Sequence, residues 1–135
     1  MNGYERIVAA LKREEPDQIP LMEWVVHENV IEGLCPGGDL FDFVEKLDLD
    51  GVSVGGRHIP KARDSSEAVY VDKWGTRWGR TAEAYQPIEG PIKSEAVLEE
   101  YAPPSPYDHF LIADVEEAVK RFKGERFISY TTRAE

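Results

Sequence analysis

Three short strand-like runs, Ile19–Trp24, Val52–Val54 and Arg126–Thr132, are separated from one another by stretches patterned as helix. That order constrains the fold more than any other feature of the chain. Strands joined through helical crossovers must run parallel, and parallel strands are buried in sheets covered by helices. The expected class is therefore α/β, built on about three parallel strands.

The helical stretches have specific signatures. Tyr4, Ile7, Val8 and Leu11 recur at the spacing of one helix face, behind Asn2 as a candidate N-cap. Pro16 stops that helix, because the residue before a proline avoids the α region. His27–Leu34 reads as a short helix closed by the turn Cys35-Pro36-Gly37-Gly38. Asp39 caps a third, with the stripe Leu40, Phe43, Val44 and Leu47, and Asp50-Gly51 breaks it. Residues 57–67 read as an exposed loop. Ala68–Arg80 holds two apolar pieces around Lys73–Thr76, the pattern of a hairpin, and Trp74 and Trp78 read as its packed core. "PIEGPIKS" reads as an extended connector and Ser94 as the cap of a short helix. Asp114 and Glu117 have capping-box spacing before a helix that buries Val115, Ala118, Val119 and Phe122. Glu116–Lys120 and Glu117–Arg121 are spaced as i,i+4 pairs on it, and Gly124 ends it. No repeat, low-complexity tract or linker divides the chain, so residues 1–135 read as one domain.

Composition narrows the function. An apolar fraction of 41% and a charged fraction of 31% are those of a globular protein. A net charge of −10 argues against non-specific nucleic-acid binding and against docking on an anionic membrane surface. No apolar run approaches the length of a membrane span. The single cysteine, Cys35, cannot form an internal disulfide and is expected buried and inert. With no secretory signal at the N-terminus, the expected location is the cytoplasm.

The segments "ERIVAALKREEPDQIPLMEW", "DLFDFVEKLDLDGVSV", "VDKWGTRWGR", "PIEGPIKS" with "LEEY" and "PPSP", and "DVEEAVKRFKGERF" occur in one order. In that order they resemble the N-terminal part of the uroporphyrinogen decarboxylase superfamily. The resemblance implies that the chain is the N-terminal portion of a TIM (β/α)8 barrel. In this portion about three parallel strands and their helices are interrupted by a β-hairpin excursion. Such barrels run to about 250 residues even when compact, so the chain is expected to be an incomplete part of one.

The branch follows from two positions. The decarboxylase family carries an Arg-Gln-Ala-Gly-Arg run directly after strand 1, where this chain has Val25-Val26-His27-Glu28-Asn29. The family's catalytic aspartate after strand 2 corresponds, counting from Asp50, to a position at or near Arg57. The methyltransferase-like branch, whose zinc-dependent members serve corrinoid (cobalamin) proteins, is the closer resemblance. It implies a small-molecule methyl donor or acceptor and a corrinoid protein partner, with zinc ligands in the barrel's C-terminal half. No cofactor is expected on this portion itself. The alternatives are a true uroporphyrinogen decarboxylase of porphyrin biosynthesis and a catalytically inactive truncated fragment.

Glu23 and His27, following strand 1, and Arg57 and His58, following strand 2 after Gly55-Gly56, are the candidate substrate-binding residues. They would lie at the barrel's C-terminal mouth, where active sites of this fold sit. A Glu23–Arg57 ion pair orienting a polar substrate group is one expectation, and a pair that only ties two loops together is the other. His27, His58, His109 and Cys35 do not have metal-ligand spacing, and neither a dinucleotide fingerprint nor a phosphate loop occurs. Three strands without the rest of a barrel would leave an open edge and an uncovered apolar face bearing Val52, Val54, Phe127 and Ile128, so self-association is expected.

Overall fold

A computed structural model describes residues 1–55, 69–81 and 85–131. The chain divides into two compact units, Met1–Gly56 with Ile112–Glu135, and Arg57–Leu111. Among the described residues, no helix is long and apolar enough to cross a membrane.

The first unit is mixed α/β. Its sheet is formed by β1 (Met22–Glu23), β2 (Gly51–Gly55) and β6 (Phe127–Thr131), all parallel, in the order β1-β2-β6. Alternation along β2 sends Val52 and Val54 to one face and Gly51, Ser53 and Gly55 to the other. The valine face is covered by α2 (Glu28–Leu34), α3 (Leu40–Lys46) and α5 (Ala113–Phe122). Ile31, Phe41, Phe43, Val44, Leu49, Ala118 and Phe122 pack there, and Cys35 is buried among them. Val52 and Val54 are 1% and 5% exposed, so the expectation of an uncovered apolar face over these residues does not hold. Among the exposed apolar side chains, Ile19, Leu21, Trp24 and Val25 are grouped around the short edge strand β1.

α1 (Gly3–Leu11) crosses the amino ends of the strands. A capping box starts it: Glu5 N–H donates to Asn2 Oδ1 at 2.9 Å, and Asn2 N–H donates to Glu5 Oε2 at 2.9 Å. Gly3 permits the approach, since a Cβ there would lie 2.6 Å from the Asp50 carbonyl oxygen. Tyr4 stacks on Phe127 at 6.3 Å, and Tyr4 N–H donates to the Glu125 carbonyl at 3.0 Å.

Several local expectations change. The first strand is confined to Met22–Glu23; before it, Leu21 N–H donates to the Asp50 carboxylate rather than to a strand. α5 has no side-chain cap, because it begins at Ala113 and Asp114 lies inside its first turn. Lys120 pairs with Glu117 at 3.4 Å, and Arg121 reaches across to α3 instead of back along α5. Arg121 Nη2 lies 2.6 Å from both Asp42 Oδ1 and Glu45 Oε2, with its guanidinium over the Phe41 and Phe122 rings. Gly124 ends α5 as expected, with φ of 83°.

Arg121 hydrogen bonds hold the Asp42 and Glu45 carboxyls below the usual carboxylate range. Their contribution to stability is fully present above about pH 4–5 and is lost as pH falls through the depressed values. Arg121→Met, which keeps an apolar stem over the rings, removes that dependence. The fall in urea midpoint from about pH 7 to about pH 3 is therefore expected to be smaller in Arg121→Met than in the parent chain.

The second unit holds an antiparallel sheet of β3 (Val69–Val71), β4 (Arg77–Arg80) and β5 (Tyr85–Glu89), in the order β3-β4-β5. The predicted hairpin is β3–β4, but the start of "PIEGPIKS" is strand rather than connector. Pro87 is tolerated because β5 is an edge strand. Asp72 builds the hairpin turn. Its Oδ1 accepts from Trp74 N–H at 2.9 Å and Thr76 N–H at 2.8 Å, and its Oδ2 accepts from Trp78 Nε1–H at 2.7 Å. Trp78 stacks on Tyr70 at 6.4 Å, whereas Trp74 is 41% exposed. After the sheet come α4 (Glu95–Glu100), capped by Ser94, and a 3₁₀ turn at His109–Leu111.

Tyr85 is buried in this unit, edge-on to Tyr70 at 5.1 Å, and among the described residues its hydroxyl has no hydrogen-bond partner. Burying an unpaired hydroxyl is costly, so its removal should cost nothing. Tyr85→Phe is expected to hold or raise the melting temperature. A clear fall in a thermal melt followed by near-ultraviolet circular dichroism would show that the hydroxyl is bonded in solution.

Candidate functional site

In open parallel sheets, ligands bind outside the carboxyl ends of the strands. Here those ends carry Glu23 on β1, Ser53 and Gly55 on β2, and Ser129 and Thr131 on β6. Register places Ser53 beside Ser129 and Gly55 beside Thr131. The face they share is the one opposite the helix-covered valines. Gly51 and Gly55 carry no side chain there, which lets neighbouring atoms approach the backbone closely. A Cβ on Gly51 would lie 2.9 Å from Ile7 Cδ1, Met22 Sδ and the Phe127 carbonyl oxygen.

The hydroxyls of Ser53 and Thr131 meet at 3.1 Å. Ser53 is buried and Thr131 half-buried. Each hydroxyl can donate one hydrogen bond and accept two, so the pair retains capacity for a polar group of a ligand. Among the described residues Ser53 Oγ meets no histidine or carboxylate. The pair is thus a hydrogen-bonding surface rather than a nucleophile beside its base.

Of the four residues marked from sequence, two lie among those described. Glu23 is exposed at the end of β1, in register with Val52. Its neighbour Met22 shares the Gly51 face, so alternation turns Glu23 toward the valine side and away from Ser53. His27 is exposed and is the N-cap of α2, its Nδ1 accepting from Asn29 N–H at 3.1 Å. That bond requires Nδ1 to be unprotonated, leaving any ligand contact to Nε2. Arg57 and His58 lie outside the described residues, as does the proposed Glu23–Arg57 pair.

Sequence reading passed over Ser53 and Ser129. The signal was present: in Gly51-Val52-Ser53-Val54-Gly55 a serine falls with the glycines at period two, away from the valines. Among the described residues no group of His, Cys, Asp and Glu is arranged to hold a metal ion.

No family model, curated protein or solved structure matches the chain.

Proposed function

We propose that the parallel unit is the first three strands of a (β/α)8 barrel of the uroporphyrinogen decarboxylase superfamily, from the branch that transfers methyl groups to or from corrinoid proteins. The barrel reading starts from one observation. Strand order follows chain order among the parallel strands, and the crossover helices of this unit, α2, α3 and α5, cover the same face. The first half of a doubly wound sheet shares this strand order and single covered face and reverses only at its fourth strand, so what favours the barrel is this order together with the resemblance and with α1 across the amino ends. Toward the carboxyl ends the opposite face carries glycines and the hydroxyls of Ser53, Ser129 and Thr131, and α1 crosses its amino ends, which leaves the carboxyl ends as the mouth.

The branch rests on the resemblance, and on Val25-Val26-His27-Glu28-Asn29 standing where the decarboxylases carry two arginines. In this reading Ser53 and Thr131 hydrogen-bond a polar group of the methyl donor or acceptor, with His27 at the rim after β1 and Glu23 turned to the other face. In that branch a bound zinc ion would supply activation of the methyl donor or acceptor thiol. The described residues do not fit that ion, so no step here runs through it, and its ligands belong to the later half of the barrel. The reading also makes the protein cytoplasmic and expects the exposed Leu21, Trp24 and Val25 beside β1 to be covered by further barrel strands or by a second copy.

Immunoblotting of the native organism tests the barrel. A product of about 250 residues or more that contains this chain supports it, and a product of this chain's own length overturns it. The native protein then tests the branch. Conversion of cob(I)alamin to methylcobalamin, followed by absorbance with a methyl-donor panel, is the expected activity. Decarboxylation of uroporphyrinogen at an enzymatic rate would replace the branch with its alternative.

A further inference from the structure

We propose that the second unit carries a binding site for a small carboxylate with an apolar body, in a cleft of about 360 Å³ lined by Val71, Gly75, Arg77, Glu89, Pro91 and Lys93 together with Gly90 and Tyr101. The proposal uses residues of this unit alone and stands whether or not the barrel reading does.

Three observations carry it. The first is the cleft itself, an open surface groove whose volume lies at the low end of the range of small-molecule sites. Its walls are held in place. The Asp72 turn sets Gly75 against Pro91, and Tyr101 is fixed by its hydroxyl donating to the Trp74 carbonyl at 3.0 Å. Val71, Pro91 and the Tyr101 ring supply apolar surface.

The second observation is charge. Glu89 accepts from Arg77 Nη1 at 3.0 Å and lies 2.8 Å from Lys93 Nζ. Two cations against one carboxylate leave this cleft net positive in a chain of net charge −10. An anion is therefore favoured there and a cation is not.

The third is donor inventory. A guanidinium has five N–H donors and an ammonium three. Glu89 occupies one nitrogen of each, and it holds both side chains at the cleft rim with their remaining donors unspent on it. Planar carboxylates suit the fork of Arg77, with Lys93 as a second point charge.

Gly90 gives the blocking variant. A Cβ there meets nothing within 4 Å, and its φ lies outside the left-handed region. Gly90→Val thus adds a branched side chain at the cleft wall without backbone strain.

The test uses the whole chain and benzoate as probe, read by saturation-transfer NMR, which works at any oligomeric state. Saturable binding is expected with Kd on the order of 1 mM, a normal affinity for so small a ligand. Benzyl alcohol and benzylamine, which keep the ring but lose the negative charge, are expected to bind at least about tenfold more weakly. Lys93→Gln, at an exposed position, and Arg77→Gln should each weaken benzoate by about fivefold or more. Gly90→Val should abolish binding, with circular dichroism confirming that all three variants are folded. Equal binding of benzyl alcohol, tighter binding of phenyl phosphate, or full retention of benzoate by folded Lys93→Gln and Gly90→Val would each overturn the assignment.

Discussion

Phe122→Ala is expected to cost about 3–5 kcal/mol of unfolding free energy, close to the whole stability of a small unit. Phe122 is 1% exposed, at the end of α5. Its ring meets Phe41 of α3 edge-on at 5.6 Å, and the guanidinium groups of Arg121 and Arg126 lie over it at 5.8 and 5.9 Å. Truncation removes the ring contact between α3 and α5 and two cation–π interactions at once. It also leaves a cavity under Val52 and Val54 that rigid strands cannot close. Phe122→Leu fills part of that space and should lose clearly less. Urea unfolding followed by far-ultraviolet circular dichroism measures both. A loss under about 1 kcal/mol for the alanine variant would mean that α5 does not pack as described.

Phe122 was legible from sequence because its neighbours on the helix face repeat at i, i+3, i+4 and i+7. So was the parallel order of the strands, since helical crossovers allow nothing else. Contacts between elements distant in the chain were less legible. Arg121 has a good local partner in Glu117, and spacing alone assigns it there. In the fold it has three carboxylates on α3 within reach, and that denser cluster wins. Pro87 reads as a connector because proline lacks a ladder donor, yet an edge strand needs only one side of its ladder. The candidate site was legible only at its rim. Glu23 and His27 attract attention because they are ionisable, but helix capping and strand alternation give them other placements. Ser53 and Ser129 lack such chemistry on their own. Their pairing partners become visible only when β6, separated from β2 by 71 residues, is laid beside it in register.

Asp50 shows the same gap, and it carries the other large expected effect. In sequence it is half of a helix-breaking Asp-Gly pair. In the fold it is buried, 2% exposed, at the point where four elements meet. Oδ1 accepts from Arg6 Nη1 of α1 at 2.9 Å, and Oδ2 accepts from Leu21 N–H just before β1 at 2.8 Å. Its own N–H donates to the Leu21 carbonyl at 2.8 Å, and its carbonyl accepts from Phe127 N–H of β6 at 2.9 Å. Asp50→Ala keeps the backbone bonds. It strands the Leu21 N–H and leaves Arg6 only its exposed partner Asp17. Removing one partner of such a buried, charge-assisted arrangement is expected to cost about 3 kcal/mol. Asp50→Asn should cost less, since its single amide oxygen can still accept from one of the two donors, but its NH₂ must then face the other. Asp17→Asn, at an exposed site, should change stability little. The ordering Ala, then Asn, then Asp17→Asn in decreasing loss is the decisive result, measured as urea midpoints at neutral pH. An Asp50→Ala midpoint equal to that of Asp17→Asn would mean that α1 is not tied to the strands through this carboxylate.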